Sequence, residues 1–64
     1  MHELSITRNI VAIVSEAARG RRVRAVTLEV GALSGVMAEA IAFCFGVISA
    51  ETPVDGARLD IRAV

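Results

Sequence analysis

Between Leu4 and Ala18, the apolar residues Ile6, Ile10, Ile13, Val14 and Ala17 recur at spacings of three and four, with Arg8, Asn9, Glu16 and Arg19 on the other side. That spacing follows the helical repeat and predicts an amphipathic helix. Gly20 is its expected stop, because glycine takes left-handed backbone without a side-chain penalty. From Val23 to Val30 the period changes to two: Val26, Leu28 and Val30 alternate with Ala25, Thr27 and Glu29, which predicts a strand with one apolar face. Arg24 falls in the apolar register, so the first strand residues are expected to be frayed or exposed. Gly31 ends this strand, and Ser34 is the candidate N-cap of a second helix from about Gly35 to Ile48. Met37, Ile41, Cys44, Phe45 and Ile48 form its apolar stripe, which Phe43 and Val47 widen. Thr52-Pro53 blocks further helix and Asp55-Gly56 signals a turn. Beyond it, Leu59, Ile61 and Ala63 alternate with Arg58, Asp60 and Arg62, giving a second strand with one wet, charged face.

The predicted order is helix, strand, helix, strand. A strand-helix-strand unit closes as a right-handed crossover with parallel strands, so the expected fold is a two-layer α/β domain of α-β-α-β order, both helices covering one face of a small sheet. Parallel strands are normally buried on both faces, and two strands make a poor sheet. The sheet is therefore expected to lack its last strand, and its open edge invites pairing with another chain, a second copy included, as a homodimer.

Length sharpens this picture. At 64 residues the chain has room for one domain, residues 1–64, and a domain of that size buries only about 60% of the surface its unfolded chain exposes. Such domains lean on disulfides, metals or partners, and the single Cys44 excludes an internal disulfide.

Charge and hydropathy exclude several functions. Lys+Arg and Asp+Glu are both 7, so no net field favours nucleic acid or an anionic membrane as the main partner. The cluster Arg19, Arg21, Arg22 and Arg24 reads as a solvated turn. The longest apolar run, Ala40 to Ala50, contains Gly46 and Ser49 and falls short of the ~20 residues that cross a bilayer. The start, Met1-His2-Glu3, has no basic-then-apolar signal pattern. A cytoplasmic protein with a reduced thiol is expected.

Candidate chemistry is concentrated at the amino terminus. His2 is the only histidine; the Met1 α-amine, the His2 amide nitrogen and the His2 imidazole can close fused chelate rings around one ion, and such nitrogen-rich tetragonal sets suit Ni(II) or Cu(II). Glu3 can add its amide or its carboxylate. The first amides of a helix have no intrahelical acceptor, so recruiting them breaks no helical bond. The bland alternative is that His2 and Glu3 merely start a helix. Cys44, between Phe43 and Phe45, reads as a small buried hydrophobe, since a catalytic thiol needs a basic partner. Ser5, Ser15, Ser34 and Ser49 lie in no nucleophile motif, and the Gly31 to Gly35 stretch is no phosphate loop. An enzyme is not expected.

Three segments make the chain recognisable: Met1-His2-Glu3-Leu4-Ser5, Val30-Gly31-Ala32-Leu33-Ser34-Gly35-Val36 and Ala42-Phe43-Cys44-Phe45. With Asp55-Gly56-Ala57-Arg58-Leu59 they resemble, in order and over essentially the whole chain, the HypA/HybF family of hydrogenase-maturation nickel metallochaperones. The resemblance implies that the Met1-His2-Glu3 start is the nickel site, with His2 the indispensable ligand and Glu3 a contributor or a tuning neighbour. It implies Ni(II) as cargo and, as partners, the nickel-handling GTPase HypB, the hydrogenase large subunit and, in some bacteria, urease maturation proteins. The family continues into a second domain in which two Cys-x-x-Cys pairs hold structural zinc; this chain has no ligands for it, and reads as the nickel-binding domain truncated before the zinc domain. Gly46 also stands where relatives commonly carry an acidic residue. The reading is a nickel chaperone that captures and hands over its ion; the alternative is a protein–protein interaction module with an inert terminus.

Overall fold

The computed structural model describes residues 2–64 and contains α1 (Glu3–Ala18), β1 (Ala25–Val30), α2 (Ala38–Ile48) and β2 (Arg58–Ala63), in that order. The strands pair in parallel, with Val26 beside Leu59, Leu28 beside Ile61 and Val30 beside Ala63, so the alternating apolar residues of both strands share a face. A small α/β domain with a two-stranded parallel sheet is thus present as expected.

The two layers meet where Val11 of α1, Phe45 of α2, Val26 of β1 and Val54 pack together, with Val14, Val23, Ile48, Ala57 and Leu59 against them. The backbone of α1 runs beside α2 rather than beside either strand. Val54, 0% exposed, enters this core from the α2–β2 turn, held there by local bonds. The Thr52 hydroxyl donates to the Ser49 carbonyl (2.6 Å) and accepts the Val54 N–H (3.1 Å), while the Glu51 N–H donates to the Asp55 carboxylate (3.1 Å).

Several boundaries and faces depart from expectation. The left-handed stop of α1 begins at Arg19 (φ 51°), one residue before Gly20 (φ 82°). β1 begins at Ala25, because Val23 turns its N–H to the Pro53 carbonyl (2.9 Å) instead of joining the ladder. The second helix starts at Ala38 with Met37 as N-cap; the Ser34 hydroxyl accepts the Val36 N–H (3.2 Å) and shapes the loop before the helix instead. On α1 the inward stripe is Ile6, Thr7, Ile10, Val11, Val14, Ser15 and Ala18, leaving Ile13 and Ala17 exposed. On α2, Met37, Phe43 and Val47 are exposed. A helix this apolar carries no polar face to fix its rotation; the positions of α1 and the sheet select Ile41, Phe45 and Ser49 as the buried set.

Candidate metal centre

His2 is the N-cap of α1, in extended backbone (φ −104°, ψ 100°) with no side-chain capping bond, and it is exposed. Its carbonyl accepts the first helical hydrogen bond, from the Ile6 N–H (3.2 Å). Amides ahead of Ile6 belong to the orphan donors of a helix start.

Glu3 does something no local pattern signals. Its Oε2 accepts the backbone N–H of Met37 (3.1 Å), the N-cap of α2, so one carboxylate stands at the positive ends of both helices, where a negative charge is favoured. The Met37 N–H, followed by its own backbone N–H, holds the Glu3 carboxyl below the usual glutamate range. Below it, buried Thr7 donates its hydroxyl to the Glu3 carbonyl (2.7 Å) and fixes the first turn. Glu3 therefore anchors the chain end against α2 with its carboxylate, and a metal at this terminus would meet the Glu3 amide.

Of the three residues named from sequence, His2 and Glu3 are adjacent at this corner, and Met1 lies outside the described residues. Among the described residues no three His, Cys, Asp or Glu side chains gather into a metal-ligating group, so a metal here would rest on main-chain nitrogens together with the imidazole. Cys44 is half-buried in α2, seven residues and roughly 10 Å of helix beyond Met37. The contact missed by sequence reasoning is Glu3–Met37, whose partners lie 34 residues apart. A Glu in the first turn of a helix is locally explained by that helix alone, so the second role left no signal.

At the opposite end of the molecule, the Arg22 guanidinium donates to the Asp55 carbonyl (3.1 Å). Together with the Val23–Pro53 bond, it ties the α1–β1 turn to the α2–β2 turn. A structural corner accounts for this part of the arginine cluster.

A family model described as hydrogenase/urease nickel incorporation, metallochaperone, HypA, matches residues 1–64. The chain belongs to the HypA family. Its similarity to individual HypA proteins is high throughout. It is 53% identical over all its 64 residues to the hydrogenase maturation factor HypA of a Nostoc species, covering 57% of that protein. The HypA of Geobacter sulfurreducens is 55% identical, again over the whole chain, with 58% of that protein covered. The HypA of Trichormus variabilis is 57% identical, with 57% covered. The chain thus spans a little over half the length of the curated HypA proteins it matches. No helix among the described residues is long and apolar enough to cross a membrane.

Proposed function

We propose that this chain is the nickel-binding domain of a hydrogenase-maturation metallochaperone, taking Ni(II) as cargo at Met1, His2 and Glu3. The observation that carries the reading is His2 itself: exposed, in extended backbone, and placed ahead of the first helical hydrogen bond. An α-amine, the His2 amide nitrogen and the His2 imidazole make up a nitrogen-rich set that suits Ni(II), and the Glu3 amide is next in line. Family membership supports nickel over copper.

The chemistry is coordination and ligand exchange, not catalysis. An α-amine with its ordinary pKa of about 7.7–8.0 is mostly protonated at neutral pH. Ni(II) must displace that proton, and the amide proton as well if the amide nitrogen ligates, so affinity climbs with pH. A site at His2, which is exposed and precedes α1, can pass its ion to an acceptor while α1, α2 and the sheet stay folded. The acceptors proposed, by family membership, are the nickel-handling GTPase HypB and the hydrogenase large subunit, with urease maturation proteins as a further route, all in the cytoplasm. Structural zinc is assigned to no residue of this chain.

Calorimetric titration of Ni(II) into three proteins tests the site: the native chain with a free Met1 amine, His2→Ala, and a version with one extra residue before Met1. The native chain should bind at least a hundredfold more tightly than either variant. Equal affinity in all three refutes the terminal chelate.

A further inference from the structure

We propose that Met37 is a positioning residue of the terminal nickel site: its main-chain N–H keeps the Glu3 carboxylate out of the coordination sphere and leaves the Glu3 amide nitrogen to the metal. The proposal rests on the nickel reading above and deepens it, by naming what fixes the third residue of the site.

Met37, the N-cap of α2, carries a thioether side chain and makes no side-chain capping bond. In a capping box the N-cap N–H is satisfied by a Glu or Gln three residues further on. That position in α2 is Ala40, which has no side-chain oxygen to offer. The bond comes from the other helix instead: Glu3, the first residue of α1, accepts the Met37 N–H at its Oε2 (3.1 Å). Only the main chain of Met37 enters this contact, and the residue as a whole stays 64% exposed.

The same bond decides which atom of Glu3 is open to a metal. Its carbonyl accepts the hydroxyl of Thr7 (2.7 Å), a residue with no exposed surface. Its carboxylate is taken by Met37. Its N–H, at the first position of α1, has no intrahelical acceptor and lies beside its own carboxylate. The amide nitrogen is thus the polar group of Glu3 that no other described residue holds, and it follows the His2 amide directly in the chain.

Donor chemistry gives this arrangement its consequence. Nitrogen donors suit the tetragonal preference of Ni(II), whereas carboxylate oxygens suit harder ions such as Mg(II) and Mn(II). With Met37 in place, the oxygen of Glu3 is engaged and its nitrogen is already ordered. Without that bond, the Glu3 backbone must be ordered as the metal binds, which lowers affinity roughly tenfold, and the released carboxylate can enter the coordination sphere. Met37 lies 34 residues from Glu3 in the chain, so the packing of α1 against α2 is felt at the metal.

Calorimetric titration of Ni(II), with visible spectra of the bound ion, tests this on the 64-residue chain with a free Met1 amine. Met37→Ala keeps the N–H and Met37→Pro removes it, at a φ of −93° that lies near the proline range. Glu3→Gln keeps an acceptor for that N–H and Glu3→Ala removes it. Met37→Ala and Glu3→Gln should bind Ni(II) within about threefold of the native chain, since a neutral acceptor retains most of the bond. Met37→Pro and Glu3→Ala should each bind roughly tenfold more weakly, and the double variant no more weakly than either alone, because both delete one contact. The ligand-field band should move to longer wavelength in Met37→Pro alone, where a freed carboxylate oxygen joins the nitrogens. Far-UV circular dichroism verifies each fold, and the Gln-against-Ala comparison at Glu3 decides the matter even if Met37→Pro does not fold. A loss in Glu3→Gln as large as in Glu3→Ala would make the carboxylate itself a ligand and overturn the proposal. His2→Ala separates this role from the site it serves. A native chain that binds no more tightly than His2→Ala refutes the terminal site together with its positioning residue, while His2-dependent binding indifferent to Met37→Pro refutes the positioning residue alone.

Discussion

Ile41→Ala and Phe43→Ala together test how the helices are packed. Both residues belong to the apolar stripe that the periodicity of α2 predicts, and by size alone the phenylalanine should matter more. The structure inverts that order, since Ile41 is 1% exposed and Phe43 is 75% exposed. Truncating a buried isoleucine removes three carbons at about 0.8 kcal/mol each in transfer terms. With the cavity left between α1 and α2, the cost reaches about 2–5 kcal/mol. A domain of this length has roughly 3–10 kcal/mol in total, so Ile41→Ala removes a large share of its stability and at the upper end unfolds it. Phe43→Ala should stay within about 0.5 kcal/mol of the parent, as exposed positions do. The assay is urea unfolding followed by far-UV circular dichroism, at one protein concentration well below that needed for association. Ile41→Val, expected to cost about 0.5–1.5 kcal/mol, gives a measurable step if the alanine variant does not fold. A Phe43→Ala cost equal to or larger than that of Ile41→Ala would refute the assigned rotation of α2, and with it the contact that brings Met37 to Glu3.

Two further outcomes follow from single positions. Gly46 lies inside α2, and a Cβ added there would meet nothing within 4 Å, so Gly46→Ala should raise the urea midpoint by an amount equivalent to about 0.8–1 kcal/mol; an unchanged midpoint would contradict an open, helical position. Glu3 titrates below the usual glutamate value because its carboxylate accepts the Met37 N–H. A depressed folded-state pKa gives stability that is present above the unfolded value, about 4.3, and is lost as pH falls through the folded value. Urea midpoints of the native chain and Glu3→Gln should therefore differ at pH 6 and converge toward pH 3, whereas a gap that is constant with pH would rule out the contact as its source.

The order and kind of the four elements were legible in the sequence, because a period near 3.6 and a period of two are properties of local backbone geometry. The parallel pairing followed from the strand-helix-strand order, and the apolar rows of Val26, Leu28 and Val30 and of Leu59, Ile61 and Ala63 were fixed by alternation. His2 and the HypA resemblance were equally legible, the first as the only histidine and the second as three short segments in order. Tertiary structure alone decided which way a nearly all-apolar helix faces, placing Ile41 and Phe45 inward and Met37, Phe43 and Val47 outward. It decided that Thr7 and Val11 line the inner face of α1 in place of Ile13 and Ala17, since several neighbouring arcs of that helix are apolar enough to bury. It also set the start of α2, where Ser34 had the composition of a cap and Met37 had the position. Above all it gave Glu3 its partner. A carboxylate at a helix start satisfies its own helix dipole locally, and only the packing of α1 against α2 brings a second helix start within hydrogen-bonding distance of the same oxygen.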